Sequence, residues 1–245
     1  MPDLQGIALL IEAMSRKGQT HLLTQMQIQP SSVTQFVPEI ATPKVSDSHG
    51  YFETYNRVLA TMPHASVEQV ADELYQAFLD GRKVLIFGNG GSASLASHFA
   101  CDLGKGTSLD GKSAKRFRVI SLVDNLALLT AWANDTSYDH IFAEQIRNFA
   151  DPGDIAFAIS GSGNSPNVLH GLQAAREAGT INIGLGGFHG GIMKSMCDLC
   201  IVIPSENMQI IEDFHVSVTH ALFTLVRHRI ETQTHRLKSF AVAAK

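Results

Sequence analysis

Residues 83–105 read K-V-L-I-F-G-N-G-G-S-A-S-L-A-S-H-F-A-C-D-L-G-K, and this stretch decides the fold. It opens with a short apolar run of strand-forming residues at 84–87, followed at once by a glycine-rich turn and then by helix-forming residues up to Leu103. The order predicts a buried strand, a tight turn and a helix. Glycines let a backbone approach a ligand closely, and the start of a helix offers N–H groups and a positive partial charge. The turn, with Asn89, Gly90 and Ser92, therefore suits an anion such as phosphate.

The helix after this turn carries a candidate acid/base pair. His98 and Asp102 are four residues apart, so their side chains project from the same helix face. An imidazole and a carboxylate are thus predicted about two turns away from the phosphate turn. The glycine pattern is neither the dinucleotide pattern G-x-G-x-x-G nor the lysine-containing P-loop.

The rest of the chain repeats the alternation of strand and helix. Apolar runs at 117–123, 154–159, 180–185 and 199–203 predict four more strands, with helices between them and a long helix at 206–232. Two helices are predicted before the first strand, at 51–62 and at 66–80, the second opened by a capping box of Ser66 and Gln69 and ended by Gly81. Apolar strands that alternate with helices form a parallel sheet covered on both faces. The predicted fold class is α/β.

A second polar loop follows the predicted strand at 154–159. Ser160, Ser162 and Ser165 are separated by glycines and an asparagine, so hydroxyls and backbone N–H groups can converge on phosphate oxygens. The alternative is an ordinary loop in which Ser165 caps the helix that Pro166 begins. Ligands of parallel sheets bind beyond the carboxyl ends of the strands, and both loops lie at that edge. This shared position favours a phosphate site.

The C-terminal helix carries further groups that could bind a metal or transfer protons. Glu212 and His220 are eight residues apart and share a face, whereas His215 is rotated away and is interpreted as a core residue. Together with His98 and Asp102 they could hold a divalent metal, zinc being the candidate, or form a metal-free acid/base network. The residues alone leave both possibilities open.

The composition excludes several classes of function. The net charge is −4 and no run of lysine or arginine occurs, which argues against nucleic acid or an anionic membrane as the main partner. No apolar run reaches the length of a membrane span, and the N-terminus lacks a basic signal-peptide start, so we expect a cytoplasmic protein. Cys197 and Cys200 form a C-x-x-C pair that leads into a strand without a second pair, and we interpret them as buried or strand-edge thiols.

Three segments are predicted from these patterns. Residues 1–47 form an N-terminal extension, with helical character at 4–26 and then a linker rich in proline, serine and threonine. Residues 48–235 form the α/β domain, and residues 236–245 form a C-terminal tail.

Four ordered motifs carry a resemblance to a known family. They are F-G-N-G-G-S-A-S-L-A-S-H-F-A-C-D-L, S-L-V-D-N-L-A-L-L-T-A-W-A-N-D, A-I-S-G-S-G-N-S-P-N-V-L and I-I-E-D-F-H-V-S-V-T-H. They resemble the sugar isomerase (SIS) domain family, over about residues 51–229, and in particular its members that isomerise seven-carbon sugar phosphates. The resemblance implies a five-stranded parallel sheet in a three-layer α/β/α sandwich and a homotetramer with sites between subunits. It also implies aldose–ketose isomerisation of sedoheptulose 7-phosphate to D-glycero-D-manno-heptose 7-phosphate, through an enediol.

The resemblance also implies roles for individual residues. The serine loop and the first turn would bind the substrate, with sugar contacts at Asp124 and Asn125. Asp102 and His220 would be catalytic, and a metal would be held by His98, Asp102, Glu212 and His220. The family pattern has glutamate at the position of Asp102, glutamine at that of Glu212 and commonly threonine at that of Gly161. A rival hypothesis is a non-catalytic SIS module that binds a sugar phosphate or a protein partner, and the retained acid/base residues favour the enzyme.

Overall fold

A computed structural model describes residues 45–108 and 115–243, with side chains described up to residue 234. The predicted extension at 1–47 therefore lies almost entirely outside the described residues. The helices are α1 (Ser48–Leu59), α2 (His64–Asp80), α3 (Gly91–Cys101), α4 (Leu126–Asp135), α5 (Ile141–Phe149), α6 (Pro166–Glu177), α7 (Met193–Met196) and α8 (Met208–Ala243). The strands are β1 (Lys83–Gly88), β2 (Arg118–Ser121), β3 (Ile155–Ser160), β4 (Ile181–Gly186) and β5 (Leu199–Val202). A π-helical turn, Asp102–Gly106, follows α3, and a 3₁₀ turn, Tyr138–His140, precedes α5.

The five strands form one parallel sheet in the order β2-β1-β3-β4-β5. The predicted α/β fold with a five-stranded parallel sheet is confirmed. Because β2 and β3 lie on opposite sides of β1, the strand order reverses between β1 and β3. Ligands of open α/β sheets bind in the crevice at such a switch point, and both predicted phosphate loops follow these two strands.

Helices cover both faces of the sheet, as right-handed connections require. On one face α8 packs against both α2 and α3, and all three helices contact the strands, while α5 and α6 pack together on the other face. The central strands β1 and β3 are buried along their whole length, which explains their continuous apolar sequences. Phe157 of β3 meets Phe99 of α3 on the first face, and Phe87 of β1 meets Phe142 of α5 on the second.

The structure differs from the predicted helix ends at three places. Helix α2 begins at His64 after Pro63, whose carbonyl already accepts the N–H of Ser66, so the predicted capping box is wrong. Helix α3 leaves α-helical geometry after Cys101, although residues that favour a helix continue to Leu103. Helix α8 continues to Ala243 instead of ending at residue 232, because no proline or glycine interrupts its sequence. The predicted tail at 236–245 is thus helical over most of its length.

The amino-terminal edge of the sheet is held by a buried charge cluster. Lys83, at the start of β1, donates from Nζ to Asp154 Oδ2 at 2.6 Å and also to Asp151. Asp154 is itself buried and accepts the backbone N–H groups of Lys83 and Asp151 at 2.7 and 2.8 Å. Burial lowers the pKa of Lys83, but the bonds to the two carboxylates outweigh it and raise that pKa above its ordinary value. Each buried charge at this edge has a partner.

None of the described helices combines the length and the apolar character that crossing a membrane requires. The cytoplasmic location stays a prediction.

Candidate active site

The glycine turn after β1 brings two strands close together at the switch point. A Cβ atom at Gly88 would lie 2.5 Å from the carbonyl oxygen of Ile159 in β3, so only glycine fits there. Gly90 then takes a positive φ of 55° and begins α3 as its N-cap residue. The side chain of Ser92 is buried against Gly88. The turn therefore has the predicted strand–turn–helix geometry, with the N-terminus of α3 at the carboxyl edge of the sheet.

Asn89 of this turn is bonded to the start of α6, the helix that follows the loop after β3. Its side-chain amide and that of Asn167 exchange two hydrogen bonds of 2.8 Å, and Tyr138 donates to the Asn89 oxygen at 2.9 Å. Asn167 is buried at the second residue of α6. Asn167 and Tyr138 were not predicted as site residues, although Asn167 stands in the quoted motif S-P-N, directly after the proline that begins α6. The pair joins the two candidate phosphate loops into one unit.

The three serines of the second loop differ in their surroundings. Ser160 is buried, and its hydroxyl accepts the N–H of Gly163 at 3.2 Å, which closes a tight turn. Ser162 is half-buried and accepts the N–H of Asn164. Ser165 is the N-cap residue of α6 but makes no capping hydrogen bond, so its hydroxyl stays available for a ligand. The predicted alternative, a loop serine that merely caps its helix, does not describe Ser165.

Gly161 makes room for a side chain of α8. A Cβ atom at this position would lie 2.5 Å from the sulfur of Met208, the first residue of α8. The methionine thus fills the space in which the resembling family commonly has a threonine side chain. Met208, like Asn167 and Tyr138, was not predicted to contact this loop.

Three residues that were predicted to act together converge on one point. The Nε2 atoms of His98 and His220 are 2.9 Å apart, and Asp102 Oδ2 lies 3.5 Å from the first and 3.9 Å from the second. Both imidazoles are 52% exposed, so they are not ordinary core histidines. His98 and Asp102 come from the end of α3 and His220 from α8, which packs against it. We call these three residues the His–Asp group.

Glu212 does not join the His–Asp group. Eight residues of helix, a rise of about 12 Å, separate it from His220. Its carboxylate lies instead beside Gly91 at the start of α3, where a Cβ atom would be 3.3 Å from Oε1. The prediction of a four-residue metal set is therefore corrected to three residues that the structure brings together.

Asp124 and Asn125 lie at the end of β2 and line a cleft of about 740 Å³. Asp124 accepts a hydrogen bond from Ser97 of α3. Asn125 accepts the N–H of Leu128 at 3.0 Å and is thereby the cap of α4. Both side chains are exposed in the cleft, and each also has a structural bond that the sequence did not predict.

Two other candidates belong to the core or to the edge of the sheet. His215 is buried as interpreted, with its Nε2 3.1 Å from the carbonyl oxygen of Gly186, and burial lowers its pKa to about 4. Cys197 and Cys200 are free, half-buried thiols, and Cys200 lies on the edge strand β5. Their mutual hydrogen bond raises the pKa of Cys197 and lowers that of Cys200.

The donor set of the His–Asp group fits a catalytic metal. Its three ligand atoms lie within 4.8 Å of one another and comprise two imidazole nitrogens and one carboxylate oxygen. Catalytic zinc sites commonly use three such protein ligands and leave a fourth position open for water or substrate. The half-exposed imidazoles leave room for that fourth ligand.

The comparisons with known proteins agree with this fold. A model of the SIS domain matches residues 50–187, and the chain belongs to this family. Among curated proteins it is similar to the phosphoheptose isomerases of Trichlorobacter lovleyi and Rhodospirillum rubrum. The first is 40% identical over 169 residues, which cover 66% of this chain and 81% of the relative, and the second is 42% identical over 161 residues, covering 66% and 84%.

A solved structure points to the same branch of the family. Phosphoheptose isomerase from Neisseria gonorrhoeae matches with a TM-score of 0.67 and 29% identity, over 73% of this chain and 95% of that protein. The predicted resemblance is therefore confirmed, and these relatives are enzymes. The non-catalytic module is not favoured.

Proposed function

We propose that this protein is a sugar-phosphate isomerase that interconverts sedoheptulose 7-phosphate and D-glycero-D-manno-heptose 7-phosphate through an enediol. The observation that carries the proposal is the convergence of His98, Asp102 and His220 on one point beside the switch-point loops. The similarity to phosphoheptose isomerases over two thirds of the chain supports the substrate.

The two loops after β1 and β3 are assigned to the phosphate group. Ser162 and Ser165 supply hydroxyl donors, while Ser160 holds the turn and Asn89 joins it to the first loop. The start of α3 adds N–H groups and the positive end of its dipole. From Ser92 to His98 the helix rises about 9 Å, a span that a short sugar chain bridges with its phosphate at the loops and its carbonyl end at the His–Asp group. Asp124 and Asn125 would contact hydroxyls of the sugar.

Proton transfer is assigned to Asp102 and His220. Asp102 takes the proton from the carbon next to the carbonyl, which gives an enediol, and returns it to the neighbouring carbon. His220 donates a proton to the carbonyl oxygen and accepts one from the adjacent hydroxyl through Nδ1, because its Nε2 faces the His–Asp group and would be the nitrogen that binds a metal. Oδ2 is the Asp102 oxygen nearest both imidazoles, so Oδ1 is the oxygen assigned to the carbon-bound proton. A positioned acid/base pair of this kind contributes about 10²–10⁴-fold to rate.

Zinc is the metal that the His–Asp group would hold, through His98, Asp102 and His220. When bound, such an ion polarises the substrate carbonyl and stabilises the negative charge that develops on its oxygen. Two nitrogens and one carboxylate oxygen are a ligand set that suits zinc.

The test is isomerisation in deuterated water with five- to seven-carbon sugar phosphates, with and without added zinc. We expect interconversion of the seven-carbon pair and incorporation of solvent deuterium at the carbon that exchanges its proton. Asp102→Asn and His220→Gln should abolish both signals while the protein remains folded. Binding of the sugar phosphates without any turnover or exchange in the parent would contradict the proposal and support a binding module.

A homotetramer is the assembly we propose. Helix α4 has no buried residue in the isolated chain, although seven of its ten residues are alanine, leucine or tryptophan, and Leu126 is 70% exposed. Phe52 of α1 is 63% exposed. Exposed apolar faces of this kind mark subunit contacts. Light scattering should give four chains, and Leu126→Lys should dissociate the assembly; a parent that is monomeric at micromolar concentration would contradict it.

A further inference from the structure

The π-helical turn Asp102–Gly106 begins at a residue of the His–Asp group. Helix α3 ends at Cys101, and the next five residues adopt the wider π-helical geometry. Such turns are rare, because their hydrogen bonding and packing are poorer than those of an α-helix, and they occur frequently at functional sites. A turn of this kind needs contacts outside itself to hold it.

Two neighbouring residues supply such contacts. The Thr107 hydroxyl donates to the carbonyl oxygen of Leu103 at 2.6 Å, and both residues are buried. Gly106 lies against the ring of Phe223 in α8, where a Cβ atom would be only 2.6 Å from the ring carbons. The hydroxyl thus binds a carbonyl inside the turn, and the bare glycine lets the turn sit directly on α8.

The contact on α8 is one helical turn away from His220. Phe223 follows His220 by three residues, so the two side chains are neighbours on α8. The spacing between His98 and Asp102 is fixed within their own helix. The distance from Asp102 to His220 depends in contrast on how closely the turn approaches α8.

We infer that Gly106 and Thr107 are positioning residues, which hold the π-helical turn against α8 and thereby set the distance between the Asp102 carboxylate and the His220 imidazole. The inference rests on the proposed function in one respect, namely that this distance matters for metal binding and proton transfer. Neither residue contributes a side chain to the His–Asp group itself.

The experiment compares four variants of the full chain with a matched control. Thr107→Val removes the hydroxyl at nearly constant shape, and Thr107→Ser keeps it. Gly106→Ala introduces the methyl group that meets Phe223, and the double variant Gly106→Ala with Phe223→Ala makes room for it. Thr234→Val is the control, because Thr234 makes the same bond to a carbonyl four residues earlier, at the far end of α8.

Crystal structures of the parent and variants measure the distance directly, and the absorption of added cobalt(II) reports the metal affinity of the metal-free proteins. We expect Thr107→Val and Gly106→Ala to move the carboxylate away from His220 by about 1 Å, a displacement large enough to cost roughly 10²-fold in kcat. Cobalt affinity should fall by about 10- to 100-fold, as for other residues that orient metal ligands. We expect the parent's carboxylate–imidazole distance and cobalt affinity in Thr107→Ser, in the double variant and in Thr234→Val.

The inference is overturned if Thr107→Val and Gly106→Ala both keep Asp102 Oδ2 within 4 Å of both imidazoles. Circular dichroism identifies a variant that does not fold. If Gly106→Ala does not fold, the nearly isosteric Thr107→Val alone decides whether the inference holds. A parent that binds no cobalt while the variants still shift the carboxylate would refute the metal site but leave the positioning role intact.

Discussion

The two edges of the sheet use charged and polar residues in opposite ways. At the amino-terminal edge, Lys83 and Asp154 are buried and bonded to each other and to the backbone. At the carboxyl-terminal edge, His98 and His220 are half-exposed and turn two nitrogen atoms and a carboxylate toward one point. Buried charges have to be paired within the fold, whereas half-exposed groups that converge on one point are candidates for binding a ligand. Substitutions at the two edges should therefore change different measurements.

The largest effect is expected at the carboxyl-terminal edge. Asp102→Asn removes the proposed base and one metal ligand, and kcat should fall by about 10²–10⁴-fold. The free energy of unfolding should change by less than about 0.5 kcal/mol, because no buried partner is left unpaired. Steady-state kinetics and urea unfolding measure the two quantities. A large loss of stability with unchanged kcat would show that the His–Asp group has a structural role, like the charge cluster at the amino-terminal edge.

The reverse pattern is expected for Asp154. Asp154→Ala leaves the buried ammonium of Lys83 without its buried partner and should reduce the free energy of unfolding by about 3–5 kcal/mol. The kcat of the folded fraction should be unchanged. Asp151→Asn is the matched control, since Asp151 bonds to the same lysine but its side chain is 75% exposed, and it should have little effect. If both variants lost the same amount of unfolding free energy, burial would not be what makes Asp154 important at this edge.

His215 tests whether a buried histidine at the carboxyl end of β4 behaves as a core residue. Burial lowers its pKa from 6.5 to about 4, so between these pH values the unfolded chain binds a proton that the folded chain does not. Stability is therefore complete above pH 6.5 and falls as the pH decreases toward 4, by about 3 kcal/mol. His215→Gln should lack this part of the pH dependence in urea unfolding between pH 4 and 7. Parallel pH profiles for the variant and the parent would contradict the assignment.

The smallest effect concerns the serine loop. Ser162→Ala and Ser165→Ala each remove a hydroxyl that is proposed to bind a charged phosphate, which should cost about 1.5–3 kcal/mol of binding. A remote contact contributes mostly uniform binding, so KM should rise by about 10- to 100-fold with a smaller change in kcat. Ser195→Ala in α7 is the control, because its hydroxyl bonds only to the carbonyl of Ile192 among the described residues. Unchanged KM in both loop variants would remove this loop from the site.

The fold could be predicted from the sequence because buried parallel strands are continuous apolar runs bounded by glycine and serine turns. Residues 84–87 and 154–159 illustrate this, and the structure extends or shifts them by only one residue. His98 and Asp102 were predicted together because helix periodicity is local. Contacts between distant segments leave no such periodic signal, which explains why Asn167, Tyr138 and Met208 were missed.

Glu212 illustrates the opposite error. Its face on α8 was predicted correctly relative to His220, but the same spacing of eight residues implies a rise of about 12 Å, which the prediction of one shared metal site did not take into account. The π-helical turn also escaped prediction. Its sequence D-L-G-K-G contains helix formers and glycines, and the decisive contacts come from Thr107 and Phe223.

The packing of Met208 into the space above Gly161 constrains how this loop can change over evolutionary time. A side chain at position 161 requires the end of the Met208 side chain to leave that volume. Threonine at 161 should therefore be tolerated better where position 208 carries a shorter side chain. The two positions form an epistatic pair.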